Sequence, residues 1–241
     1  MAWGGRERAQ GPRVPPNSYR SPFSSEGERE RLLRLGILIS GRGSNMQAIV
    51  ANIEAGKLPA EVALVVCNHR DAPGLAWARD RGLRTALVER RGYPSREAHD
   101  AAIAQVLEEA DVGLVVMAGY DRIVGPPILN AFRGRIVNIH PSLLPAFAGS
   151  LHAQADALEH GVKLSGCTVH FVTEGAVDGG PIILQAAVPV LEDDTPERLS
   201  ARILEQEHII YSRAIKLYAE GRLRVEGRRV RVTEDSNVVA G

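Results

Sequence analysis

The stretch Leu35-Gly36-Ile37-Leu38-Ile39-Ser40-Gly41-Arg42-Gly43-Ser44-Asn45 decides the fold class. Its first half is almost continuously apolar, which suits a strand covered on both faces. Its second half is a glycine turn that leads into residues with helical spacing, to about residue 56. A strand that turns straight into a helix opens a βαβ unit.

The same alternation continues outward. Apolar runs at 62–68, 85–88, 112–118 and 136–139 are separated by helix-like stretches near 74–82 and 95–110. This predicts an α/β fold, an open twisted and mostly parallel sheet with helices on both faces. After residue 164 the pattern changes. Residues 165–172 alternate, with Cys167, Val169 and Phe171 on one face, and 181–190 is a second extended run. Two strands so close are expected to pair antiparallel. Residues 195–219 read as a long helix with Thr195 as N-cap and Pro196 in the first turn. Residues 223–232 read as a hairpin turning at Glu226-Gly227. One domain over 35–232 is expected, between a tail at 1–34 and a C-terminal tail at 233–241.

Composition narrows the class. The chain has 241 residues, 29 Lys+Arg against 29 Asp+Glu, and two cysteines. That length buries enough surface to fold without a disulfide or metal staple. Cys67 and Cys167 fit no zinc-site spacing, and no metal is expected. No apolar run of about 18 residues predicts a membrane span, and the N-terminus lacks the apolar core of a signal peptide. A soluble, cytoplasmic protein is expected. Residues 1–34 carry seven Arg and four Glu and few apolar residues. They read as a disordered tail, with a transit peptide or an over-extended start as alternatives. The remainder carries 22 bases and 25 acids, so no basic footprint for nucleic acid is expected.

Three segments carry chemistry. Ser40–Asn45 offers free N–H groups at a helix start, which suits a phosphate. It is neither the dinucleotide GxGxxG motif nor a P-loop. Asn138-Ile139-His140-Pro141 closes the fifth strand, where Asn138 and His140 share a face. The Asn amide can donate to an oxygen gaining charge, and His moves protons near neutral pH. Taken alone, a strand-end His is more often structural. Val177-Asp178-Gly179-Gly180-Pro181 reads as a turn, and a carboxylate held there could fix a histidine's tautomer and raise its pKa. Spacing does not tell whether Asp178 meets His140. Elsewhere, His69 and His99 read as surface or helix residues, and His170 as either packed or supporting the site.

Together these segments resemble the folate-dependent formyltransferases, and within them the phosphoribosylglycinamide formyltransferase branch. The matching text is Ile39-Ser40-Gly41-Arg42-Gly43-Ser44-Asn45, Ala118-Gly119-Tyr120-Asp121-Arg122-Ile123, residues 138–145, 166–172 and 178–184, and Gln206-Glu207-His208. The resemblance implies the formyltransferase fold and 10-formyltetrahydrofolate as cosubstrate. It implies the amine of 5-phosphoribosylglycinamide as acceptor, in de novo purine biosynthesis, with small-molecule partners and a monomer or homodimer. Asn138 and His140 would stabilise the tetrahedral oxyanion, with Asp178 orienting and charging His140. Gly43, Ser44 and Asn45 would hold the phosphate, and Glu207 the ribose. Arg96, Arg122, Ile123, Val124, Asn138, Glu174, Val177 and Asp178 would meet the folate. Two alternatives accompany this reading: formyltetrahydrofolate deformylase, where water replaces the amine, and a non-catalytic α/β module that binds a phosphate ligand. The sequence departs from the family pattern by one extra residue near 148–156 and another near 173–177. Asp121 also stands where an apolar residue is usual, and Leu204 where a polar ribose-side contact is expected.

Overall fold

The structure is a computed structural model and describes residues 32–175 and 177–233. The stretches 1–31 and 234–241, read above as parts of the two tails, lie outside the described residues.

The chain runs β1 (Leu33–Ile39), α1 (Ser44–Glu54), β2 (Ala60–Cys67), α2 (Pro73–Asp80), β3 (Thr85–Leu87), α3 (Arg96–Glu109), β4 (Leu114–Met117), α4 (Pro126–Ala131) and β5 (Ile136–His140). It continues with α5 (Ala153–Glu159), β6 (Leu164–Phe171), β7 (Ile182–Pro189), α6 (Pro196–Ala219), β8 (Leu223–Glu226) and β9 (Arg229–Val232). The strands form one sheet in the order β3-β2-β1-β4-β5-β6-β7-β9-β8. β3, β2, β1, β4 and β5 are parallel, whereas β6 pairs antiparallel with both β5 and β7. The hairpin β8–β9 joins through a short parallel pairing of β9 with β7.

The continuous apolar runs have the predicted cause. Leu35, Ile37 and Ile39 of β1 pack on one face with α1, α2, α5 and α6. Leu38 packs on the other with α3 and α4. Each of these side chains is fully buried, and burying one stabilises the fold by about 1.5–3 kcal/mol. β1 begins two residues before the apolar run, with Arg34 tied down at the amino end of this central strand. Its guanidinium pairs with Glu61 and donates to the Ala110 and Asp111 carbonyls.

The long helix starts as read. Thr195 Oγ1 accepts from the Arg198 N–H at 3.3 Å, and Pro196 opens the first turn. Helix α4 was not foreseen. It has six residues and begins on Pro126-Pro127, too short for its period to show.

Candidate active site

The site begins with alternation along β5. Val137 and Ile139 pack into the core beneath α6, so Asn138 and His140 emerge on the opposite face. The buried Tyr211 hydroxyl of α6 shares its proton between the carbonyls of Met117 (2.9 Å) and Val137 (3.1 Å). That contact ties the carboxyl end of β4 and the start of β5 to the helix.

Asp178 meets both residues. Its Oδ2 lies 3.2 Å from His140 Nδ1 and accepts from the Gly149 N–H at 2.9 Å. Its Oδ1 accepts from Asn138 Nδ2 at 3.4 Å and lies 3.5 Å from His170 Nε2. Asp178 has φ 53°, a left-handed conformation that Asp tolerates better than most residues. The turn is wedged against β6 through Gly180. A Cβ there would stand 1.7 Å from the Phe171 carbonyl oxygen, so only glycine lets this loop lie so close.

The other ring nitrogen of His140, Nε2, is 3.0 Å from the Phe147 carbonyl. Both ring nitrogens therefore face acceptors: a neutral ring donates to only one of them, and the charged ring donates to both. Burial lowers the His140 pKa, and Asp178 and the Phe147 carbonyl oppose it without cancelling it. Asp178 pulls His140 toward its charged form, and dehydration of the ring pulls harder the other way. Burial pushes the Asp178 carboxyl up, but His170, the Gly149 N–H and His140 more than offset this, so it stays below the usual range. The site thus sets a carboxylate held below its usual range beside a His whose charged form burial disfavours.

Asn138, His140 and Asp178 open on a cavity of about 500 Å³, a size typical of small-molecule sites. Arg122, Ile123, Val124 and Val177 line it as expected. Ile123 and Val177 expose about half of their surface, and Leu151 exposes 83%, giving the mouth an apolar rim. Two expected contacts lie elsewhere. Glu174 faces a separate shallow cleft with Leu129 and Arg133. Arg96 does not line the cavity but braces its wall, donating to the Ile123 carbonyl. Asp100, 3.8 Å from Arg96, accepts from the Gly125 N–H at 2.8 Å.

Gly43 caps α1 with φ 70°. Ser44 is the first residue of that helix, so the first-turn N–H groups have no partner within the helix. Gly74 of α2 packs on the turn, donating to the Gly41 carbonyl at 3.0 Å. A Cβ on Gly74 would fall 2.8 Å from that oxygen. Asn45 is buried and donates from Nδ2 to Glu207 Oε2 at 2.8 Å, joining α1 to α6. Its Oδ1 is buried without a hydrogen-bond partner among the described residues. Burial raises the Glu207 pKa, with Asn45 opposing.

Three contributors were not assigned from sequence. The Phe147 carbonyl and Gly149 N–H come from the loop after Pro145, whose roles are played by backbone atoms that no residue type announces. His170, left open between packing and support, accepts from Asn138 Nδ2 at Nε2 (3.3 Å) and donates from Nδ1 to the Phe171 carbonyl (2.9 Å). Of the two readings offered for His99 the helix one holds: it lies in α3, fully buried, with Nε2 2.9 Å from the Val88 carbonyl. Both cysteines are buried and free. Among the described residues no cluster of His, Cys, Asp and Glu is placed to hold a metal ion, and no helix is long and apolar enough to cross a membrane.

Comparison with known proteins follows the same lines. The formyl transferase family profile matches residues 33–215. The chain is 43% identical over 193 residues to phosphoribosylglycinamide formyltransferase of Haemophilus influenzae, covering 80% of this chain and 90% of that protein. It is 44% identical over 194 residues to the trifunctional purine biosynthetic protein adenosine-3 of Drosophila melanogaster, but spans only 14% of that protein's length. The crystal structure of glycinamide ribonucleotide transformylase 1 from Symbiobacterium toebii superposes with a TM-score of 0.82. It is 57% identical, with 85% of this chain and 95% of that one covered.

Proposed function

The chain belongs to the formyl transferase family, and from that premise we propose that it transfers the formyl group of 10-formyltetrahydrofolate to the amine of 5-phosphoribosylglycinamide, a step of purine biosynthesis. One observation carries the reading: Asn138, His140 and Asp178 converge at the end of β5, with His140 Nδ1 3.2 Å from Asp178 Oδ2, on a cavity of about 500 Å³. The cavity's lining, apolar at Ile123, Val124 and Val177 and polar at Asn138, His140 and Asp178, fits a flat heterocycle bearing a reactive formyl group.

The residues then divide the work. The N-terminus of α1, with Gly43, Ser44 and Asn45, takes the acceptor's phosphate, and Glu207 takes its ribose hydroxyls. As the neutral amine attacks the formyl carbon, the carbonyl oxygen gains negative charge. Asn138 donates to that oxygen. Its contacts to Asp178 and His170 are long, at 3.4 and 3.3 Å, and yield an N–H readily. The growing charge also offsets the burial that disfavours a charged His140, so the ring takes up the proton that the attacking amine sheds and, charged, stabilises the oxygen while Asp178 holds it. Such preorganised donors act where water is excluded and are each worth about 10²–10³ in rate. Collapse returns the oxygen to a carbonyl, breaks the bond to the folate nitrogen and passes the amine's proton to that nitrogen, with His140 as relay. We place this reaction in the cytoplasm.

The test is donor consumption by the purified protein with and without the ribonucleotide. Consumption that depends on the acceptor supports transfer. Equal release of formate without it makes the protein a hydrolase. Phosphate-ligand binding with no consumption makes it a binding module.

A further inference from the structure

β1 and β4 are neighbours in the sheet, yet the helices that follow them leave to opposite faces. α1 packs with α6, and α4 with α3. Above such a pair the loops part and leave the crevice where open α/β sheets take ligands. A carboxylate stands in this crevice. Asp121 follows β4, and Ser40 follows β1. Asp121 Oδ1 accepts from Ser40 Oγ at 2.9 Å and from Asn68 Nδ2 at 2.7 Å. Oδ2 lies 2.8 Å from His69 Nε2. The Asp121 N–H donates back to Ser40 Oγ at 2.9 Å.

A carboxylate oxygen accepts about two hydrogen bonds. Oδ1 is therefore filled, whereas Oδ2 keeps one position open. The side chain is 48% exposed and lines the same cavity as Asn138 and His140. Three groups thus hold an anion, at one orientation, between the glycine turn after β1 and the reacting centre after β5. Burial works against its charge, but the hydrogen bonds from His69, Asn68 and Ser40 keep its pKa below the ordinary value.

We propose that Asp121 is a specificity residue for the acceptor: its open carboxylate position takes an N–H of the acceptor's glycinamide arm as that arm runs from the phosphate turn to His140. This rests on the acceptor reading above. It selects an arm rich in N–H donors and penalises one ending in a carboxylate, which would face a fixed negative charge.

Asp121→Asn tests it. The amide oxygen still accepts from Ser40 and Asn68, and an NH₂ replaces Oδ2, so the cluster keeps its shape. Calorimetric titration with the ribonucleotide alone should give a Kd raised about tenfold or more, as expected for a lost hydrogen bond to a charged group. In steady state, the acceptor KM should rise alongside, with the folate KM within about twofold and kcat nearly unchanged, the signature of lost uniform binding. An acceptor Kd within twofold of wild type overturns the inference, as does an equal rise in the folate KM. Wild-type protein that binds the ribonucleotide but consumes no donor overturns the transfer reading and leaves this one standing. Wild-type protein that binds no ribonucleotide overturns both.

Discussion

Asp178 reaches His140 with Oδ2 3.2 Å from Nδ1, and the same carboxylate also engages Asn138, His170 and the Gly149 N–H. One side chain on a glycine-rich turn therefore sets the positions of two groups on β5, one on β6 and one in the loop after Pro145. Disturbing any partner is expected to act on chemistry more than on binding.

Asn138→Ala removes a donor that the account assigns to the oxyanion. We expect kcat to fall about 10²–10³-fold, with acceptor Kd within a few-fold of wild type. Steady-state kinetics and calorimetry read both. A kcat within threefold of wild type assigns the donor elsewhere.

The His140 pKa makes stability depend on pH in a definite direction. Burial places the folded value below the ordinary 6.5. At alkaline pH the ring is neutral in both states and contributes no difference. As pH falls through about 6.5, the unfolded ring takes a proton that the folded ring resists, and stability drops until the folded pKa is passed. Asp178, held below its ordinary 3.8, contributes stability that is lost only at lower pH. Thermal unfolding should therefore show wild type losing more Tm than His140→Gln between about pH 7.5 and pH 5. Parallel curves contradict a buried, neutral His140.

Glu207 shows the opposite sign. Its folded pKa is raised by burial, so its charge costs stability at high pH and the cost is relieved as pH falls. Glu207→Gln should leave Tm equal or higher near pH 8, with a smaller gain near pH 5. It should also weaken acceptor binding by about tenfold, the loss of a charge-assisted hydrogen bond. Tighter or unchanged acceptor binding removes Glu207 from the ribose site.

Arg96 acts on the folate side through the wall it braces. Arg96→Ala frees the Ile123 carbonyl and loosens the wall that Ile123 and Val124 form. We expect the folate KM to rise about three- to tenfold, as side-chain hydrogen bonds of this kind carry about 0.5–1.5 kcal/mol, with acceptor KM unchanged. A rise confined to the acceptor KM refutes the assignment.

The parallel half of the sheet was readable because burial on both faces leaves near-continuous apolar runs, as in β1 and β4. Asn138 and His140 were readable because alternation alone puts them on one face. What escaped was set by distance in the chain or carried by backbone. Nothing in the turn at Asp178 says that it folds over β6 to His140; that depends on Gly180 lying against the Phe171 carbonyl. Phe147 and Gly149 contribute a C=O and an N–H, which every residue has. Arg96 and Glu174 were expected at the folate, yet one braces the cavity wall and the other faces a neighbouring cleft. The resemblance locates a loop but not the direction in which each side chain leaves it. His69 and Asp121 look unrelated in sequence, and only the adjacency of β2, β1 and β4 brings them together.

The central claim is that His140 carries chemistry that binding alone does not supply. The most direct measurement follows an isotopically labelled formyl carbon from 10-formyltetrahydrofolate, in wild type and in His140→Ala, with ribonucleotide saturating and its binding measured in parallel. The account predicts label on the ribonucleotide amine with wild type, transfer reduced about 10²–10⁴-fold in the variant, and ribonucleotide binding retained by both. Label reaching the amine at an undiminished rate in His140→Ala, or appearing as formate in wild type with acceptor present, would contradict it.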